Sequence, residues 1–160
     1  MTGTTVPSWL SFNTATGVLS GTPANANVGT SGNDVVITVT DGNNGQVTDS
    51  FTITVTNTND APTVANAISD ASTDEDAAYS LSISNVFADV DTGDSCTYSM
   101  SGAPSTITLS GTTISGTPVN ADVGTHTIVV TCTDGSSASV SDSYVLTCLL
   151  YTSPSPRDSL

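Results

Sequence analysis

The sequence predicts an all-β chain, a tandem repeat of one seven-stranded β-sandwich, and three observations carry that prediction. The stretch VVITVTDGNNGQVTDSFTIT at 35–54 returns without a gap as IVVTCTDGSSASVSDSYVLT at 128–147. Upstream, LSGTPANANVGT (19–30) returns as ISGTPVNADVGT (114–125), and Pro7-Ser8 returns as Pro104-Ser105. The offsets of 97, 95 and 93 residues make the repeat one domain long, too long for a solenoid unit. The third observation is composition. Thr, Ser, Val, Gly, Asn, Asp and Ala dominate, a mix that suits pleated strands and tight turns. Aromatics are only 5%, which by itself would also fit a disordered chain. Regular apolar–polar alternation, with no helical period, decides for folding.

Each strand of the second repeat has its own signal. Pro62-Thr63-Val64 opens an edge strand, where a proline is tolerated. Ala78–Ile83 alternates with Tyr79, Leu81 and Ile83 on one face, and Cys96–Met100 with Cys96, Tyr98 and Met100. Ile107–Leu109 and Thr113–Ser115 flank Ser110-Gly111 as a short hairpin. His126–Thr133, with Ile128, Val130 and Cys132 inward, is followed by Val140–Thr147, and Asp134-Gly135 between them is a strong hairpin signal. Seven strands in about 90 residues match a sandwich. The first copy supplies only the last four, at about 8–12, 17–20, 34–40 and 47–56, with Trp9 and Phe12 as large core residues. Lacking a counterpart of residues 62 to about 97, it is expected to leave an apolar face and open edges uncovered, and to be poorly ordered or aggregation-prone in isolation.

Three segments follow: 1–58, the C-terminal part of a truncated repeat; 59–147, a complete repeat; and 148–160, a tail. Within the tail, CLLYTSPSPRD (148–158) reads as the translation of a transposase-type sequencing adapter, and is set aside as a processing scar. A natural Ser/Pro-rich tail is the alternative. Met1 falls inside the first repeat and is not read as a true start. Without the tail the chain has no Lys or Arg, since Arg157 is the only one, and it keeps fourteen of its fifteen carboxylates. So acidic a surface repels phosphate backbones and anionic lipid, which argues against nucleic-acid partners and direct membrane contact. It attracts divalent cations or basic partners.

The motifs resemble those of dystroglycan-type cadherin-like domains, also described as putative immunoglobulin-like repeats of surface proteins. The residues that carry the resemblance are Pro7–Phe12, Thr16–Pro23, Val39-Thr40-Asp41-Gly42, Asn59-Asp60-Ala61-Pro62 and Phe87–Asp94. It implies an Ig/cadherin-like Greek-key sandwich in an extracellular or cell-surface adhesion or spacer array, with Ca²⁺ between consecutive repeats. Asn57–Ala61 keeps the central Asn59-Asp60 of the cadherin linker motif and departs at its flanks. Asp89 and Asp91 match the Asp-x-Asp pair of the following repeat, and Asp134 the Asp after the penultimate strand. The resemblance therefore implies a metal set of Asn59, Asp60, Asp89, Asp91 and Asp134. No carboxylate occurs in 19–26, so the acidic ligands that cadherins take from the preceding repeat are absent. One weak Ca²⁺ site is expected, with Kd of about 10⁻⁴–10⁻³ M. The competing reading of Asp89, Asp91 and Asp94 is a polar loop chosen for turn geometry. Asp74-Glu75-Asp76 is read as a solvated loop, and Asp41 is left out of the site.

Cys96 and Cys132 both alternate inward on strands that sandwich topology places side by side. In the oxidising surroundings of a surface protein they form a candidate disulfide; two buried thiols are the alternative. Catalysis finds little support. There is one His (His126) and one Glu (Glu75), and no nucleophile-elbow or metalloprotease motif. The expectation is a non-enzyme whose partners are neighbouring repeats and a cell-surface or matrix protein or glycan. The alternatives are a carbohydrate-binding or accessory module of a secreted enzyme, disfavoured by few outward aromatics, and a metal-independent spacer.

Overall fold

The computed structural model describes residues 4–151, and the chain divides into two compact units, the first running to Asn59 and taking in Val90–Gly93, the second made of Asp60–Asp89 and the chain from Asp94 onward. The first contains β1 (Thr4–Thr5), β2 (Leu10–Asn13), β3 (Val18–Gly21), β4 (Asp34–Thr40) and β5 (Gln46–Thr52). The second contains β6 (Thr63–Val64), β7 (Ala71–Asp74), β8 (Tyr79–Ser82), β9 (Phe87–Ala88), β10 (Thr97–Ser101), β11 (Ile107–Ser110), β12 (Thr113–Gly116), β13 (Gly124–Thr133) and β14 (Ser139–Leu149). Among the described residues no helix is long and apolar enough to cross a membrane.

The second unit is an Ig-like sandwich. One sheet runs β10-β13-β14-β7 and the other β11-β12-β8, giving seven strands in two layers, with β6–β9 as a separate two-residue pair. Alternation places the core as the sequence implies. Ile128, Val130 and Cys132 of β13 are fully buried, as are Tyr144 and Leu146 of β14. They meet Ile83, Val86, Phe87, Ile107 and Ile114 in one apolar cluster. Tyr79, Leu81, Tyr98 and Met100 are half-buried against it.

β6 and β7 differ from the sequence expectation, and the short β1 and β9 are further strands it did not mark. The opening segment Pro62–Val64 pairs with β9, Thr63 opposite Ala88, rather than joining either main sheet. The seventh sandwich strand is β7, in a stretch with no strand signal, and its last residue begins the acidic run read as a solvated loop. Ala, Ser and Asp have poor strand propensity, so the pattern is silent there. A partner supplies what propensity does not. β7 lies parallel to β14, Ala71 opposite Leu146 and Asp74 opposite Leu149. Two carboxylates pin its approach: Asp142 Oδ2 accepts the Ile68 amide at 2.6 Å, and Asp70 Oδ1 accepts that of Val145 at 2.8 Å.

β14 also continues two residues into the string assigned to the tail. Cys148, opposite Gly124, is 1% exposed, and its burial raises the thiol pKa. The tail beyond Tyr151 lies outside the described residues.

The first unit repeats the last strands of this plan. β1, β4 and β5 form one sheet, and β2 and β3 pair separately. Asn33 is its buried polar hub. Its Nδ2 donates to Asn27 O and Gly29 O at 2.8 and 2.9 Å, and its Oδ1 accepts from Trp9 Nε1 at 3.0 Å. The counterpart of Asn33 in the second repeat is His126, whose Nε2 lies 2.7 Å from Asp122 O. A carbonyl only accepts, so Nε2 carries the proton. Asn27 and Asp122 are themselves equivalent. Asn27 Oδ1 accepts the Ala24 amide at 2.9 Å, and Asp122 Oδ2 accepts the Val119 amide at 2.9 Å and the Thr106 hydroxyl at 2.8 Å.

These hydrogen bonds favour the ionised form of Asp122 and lower its pKa below the ordinary carboxylate value. The Val119 amide is the first cause, Thr106 the second, and His126 adds a smaller effect. A group with a depressed folded pKa contributes stability that is present above its unfolded pKa, about 3.9. That contribution is lost as pH falls through the folded pKa. Asp122→Asn should therefore keep the cap, as Asn27 does, and flatten the acid-side decline of the melting temperature between about pH 5 and 3. An unchanged acid slope in a pH series of melts would count against this role.

Candidate functional site

The loop after β13 is built the same way in both copies. Asp134 Oδ1 accepts the amides of Ser136 and Ala138 at 2.9 and 2.7 Å, and the Asp134 amide donates to Ala138 O at 2.9 Å. Asp41 Oδ1 accepts those of Asn43 and Gly45 at 2.8 and 2.7 Å, and the Asp41 amide donates to Gly45 O at 2.9 Å. The hairpin that Asp134-Gly135 signals is thus a five-residue loop closed by a carboxylate. Its left-handed residue is Ser137 (φ 74°), or Asn44 (φ 64°) in the first copy, and not the glycine. The Asp has a structural task at both places.

In the second unit this loop becomes part of a carboxylate cluster. Asp89, Asp94 and Asp134 each present an oxygen, and the three oxygens lie within 4.8 Å of one another. Gly93, at φ 89°, reverses the chain just before Asp94. Asp94 Oδ1 then accepts the amides of Ser95 at 2.7 Å and Gly135 at 3.2 Å, tying the loop before β10 to the loop after β13. Asp134 is 7% exposed, and Asp89 Oδ2 is shielded from solvent.

A disulfide between Cys96 and Cys132 (Cα–Cα 5.2 Å) links the adjacent strands next to the cluster. β10 and β13 are antiparallel, Thr97 opposite Thr133 and Tyr98 opposite Cys132. Asp94, two residues before Cys96, and Asp134, two after Cys132, therefore emerge at the same end of the sheet.

The structure groups Asp89 and Asp134 of the expected set with Asp94, whereas Asp60 and Asp91 are outside the three-carboxylate group. Asn59 and Asp60 are exposed at the start of the second repeat. Asp91 is buried, 6% exposed, with Oδ1 shielded. The signal for Asp94 was its position relative to the cysteines. Once Cys96 is paired with Cys132, antiparallel register brings residues two before and two after them together.

Ca²⁺ binds oxygens at 2.3–2.6 Å, so two ligands of one ion lie no more than about 5 Å apart. The 4.8 Å spread of the Asp89, Asp94 and Asp134 oxygens fits a single ion. Three carboxylates supply fewer than the six to eight oxygens Ca²⁺ takes, so backbone oxygens and water would complete the shell.

A family model described as "Putative Ig domain" matches residues 1–56 and again 61–148. The serine-rich adhesin for platelets of Staphylococcus aureus strain MRSA252 is 38% identical over 138 residues, which are 84% of this chain and 9% of the adhesin. The adhesin of strain MW2 is equally identical over the same span, which is 6% of its length. The chain therefore spans less than a tenth of the curated relatives it matches. Among solved structures, an endo-fucoidan hydrolase of glycoside hydrolase family 107 is similar, with a TM-score of 0.50 and 23% identity. It covers 92% of this chain and 23% of the hydrolase, a likeness of fold alone.

Proposed function

The chain belongs to the putative Ig domain family, in two consecutive copies, and on that premise we propose that it is a stretch of an extracellular adhesion or spacer array stiffened by calcium. Ig-like repeats of this kind are extracellular or cell-surface modules, and the similarity to a staphylococcal surface adhesin supports that setting. The reading is non-enzymatic. The repeats give reach and display, and their partners are neighbouring repeats and a surface or matrix protein or glycan. The finer likeness to dystroglycan-type cadherin-like domains rests on the sequence motifs.

The observation that carries the calcium reading is the three-carboxylate group, held by two loops of one domain at single-ion spacing. Asp89, Asp94 and Asp134 would hold the ion, and Asp60 and Asp91 are the further oxygens that the sequence motif nominates. A bound divalent ion neutralises like charges that otherwise repel, and fixes the loop before β10 against the loop after β13.

With a Kd of about 0.1–1 mM, about 10 mM Ca²⁺ should stabilise the second unit by about 1.4–2.7 kcal/mol through mass action. For one domain that is roughly 6–20 °C in melting temperature. Asp89→Asn with Asp94→Asn should abolish the shift, and Mg²⁺ should not reproduce it. A melt indifferent to Ca²⁺ and chelator would leave the array standing as a metal-independent spacer and remove the metal.

A further inference from the structure

Tension on an array of repeats travels along the chain, so it enters a repeat at its first strands and leaves through its last. Residues 53–62 lead from β5 directly to β6, so the last strand of one repeat is the tether of the next. In the second unit the entering and leaving segments lie side by side and parallel. Asp142 holds the Ile68 amide and Asp70 that of Val145. β7 then pairs with β14 from Ala71–Leu146 to Asp74–Leu149, and the Glu75 amide donates to Leu149 O at 2.8 Å. Residues 68–75 thus track 142–149. The first copy carries its last strand to the same point, with Val55, at the place of Cys148, bridging Gly29.

Because β7 and β14 point the same way, pulling the chain before β7 backward and the chain after β14 forward slides one along the other. Hydrogen bonds across a sliding pair are strained together and yield together, whereas those of a peeled pair yield one at a time. The β6–β9 pair precedes the track on the entering side and, at two residues, is too short to hold. A second feature sets how far the repeat extends once the track gives. The Cys96–Cys132 bond closes a loop that contains β10, β11, β12 and most of β13. Chain inside a covalent loop stays off the line of tension, and the closed loop lowers the entropy that refolding must recover.

We propose, on the premise that the chain is a stretch of a surface array, that the second repeat is built to carry tension. The parallel track of β7 and β14 resists it, and the Cys96–Cys132 bond limits the extension. An array that holds a cell to a partner is pulled in this way.

The test stretches the full chain between its ends in single-molecule force spectroscopy, with a melt of each variant to show that it folds. Cys96→Ala with Cys132→Val identifies the second unit's step and should lengthen it by about 12 nm, with 36 further residues released at about 3.3–3.6 Å each. Asp70→Ala with Asp142→Ala should raise the forced-unfolding rate of that step at least about tenfold, the scale of losing hydrogen bonds to charged groups that the barrier breaks. Asp70→Ala alone, which leaves the β7–β14 ladder in place, should act in the same direction and less. Gly116→Ala lies in β12 of the other sheet, which is still intact when the track yields. It should lower the melting temperature and leave the forced-unfolding rate within about twofold. An unchanged rate in the Asp variants would overturn the proposal, and so would equal changes in the Asp and Gly variants, since resistance would then follow general stability. A step of one length with and without the cysteines would remove the stop. Asp70 and Asp142 are not among the proposed metal ligands, so a melt indifferent to Ca²⁺ would leave these outcomes as they are, and their failure would leave the array as a spacer not built for tension.

Discussion

Cys96→Ala combined with Cys132→Val is expected to lower the stability of the second unit by about 4 kcal/mol, or roughly 15–30 °C in melting temperature. The bond joins residues 36 apart in sequence, and the loop-closure entropy it removes from the unfolded chain gives that figure. Packing should contribute much less. Cys132 is fully buried, but Val39 stands at the same place in the first copy, so a valine suits the register, and Cys96 is only half-buried. The origin of disulfide stabilisation is model-dependent, and the experiment separates the terms. Urea unfolding of the double variant should show a lower midpoint together with a larger m-value, because the unfolded chain expands once the link is gone. A loss below about 1 kcal/mol with unchanged m would mean that the link constrains little in the unfolded state. A disulfide of this kind belongs to oxidising surroundings, in keeping with a surface setting.

How far the fold can be read from the sequence follows from what each element depends on. β8, β10, β13 and β14 are legible because one face of each is buried, and a half-buried strand writes a period of two into its residues. β7 is not legible, because its existence depends on the open edge of β14 and on Asp70 and Asp142, residues that look like surface aspartates until their partners are known. The hairpin after β13 stands where Asp134-Gly135 signals it, but the geometry inside its loop is not legible. Asp-Gly is a strong local signal, but here the Asp side chain closes the loop itself and moves the left-handed position to Ser137. Local rules fail where a side chain replaces backbone hydrogen bonding.

The candidate site divides in the same way. Asp89 and Asp134 stand at positions that motif comparison singles out, and both enter the cluster. Asp94 enters through register. The sequence offered it inside the run Asp89–Asp94, but only the pairing of β10 with β13 shows that it meets the Asp134 loop. Acidic residues are so common in this chain that their type discriminates little. Position relative to the strand ends discriminates better.

A large single-residue loss is expected at Gly116, in the motif Ser-Gly-Thr-Pro that both copies share. Gly116 faces Ile107 across β11–β12 and Tyr79 across β12–β8. A Cβ there would lie well inside van der Waals contact of the Thr106 carbonyl oxygen, 2.9 Å from its carbon and 3.0 Å from Ile107 Cα. These are backbone atoms, so no rotamer change relieves the overlap. The strand would have to move, and Ile107 and Ile114, both buried, would move with it. Two effects compete in Gly116→Ala. Restricting the unfolded chain favours alanine by about 0.4–1 kcal/mol, while overpacking in a core costs about 1–3 kcal/mol and more where nothing yields. The clash should win, with a net loss of about 2–3 kcal/mol in urea or thermal unfolding. Gly21 repeats the arrangement against the Trp9 carbonyl, with Leu10 Cα at 2.9 Å, whereas Gly42 has nothing within 4 Å of its would-be Cβ and no left-handed φ. Gly21→Ala should therefore destabilise the first unit, and Gly42→Ala should be neutral or slightly stabilising. Equal effects at Gly21 and Gly42, or a loss under about 1 kcal/mol at Gly116, would show that the motif's glycine answers to something other than the close approach of two strands. The predicted contrast ties the motif to a shared geometry: β3 and β12 each pass a neighbouring backbone too closely for any side chain.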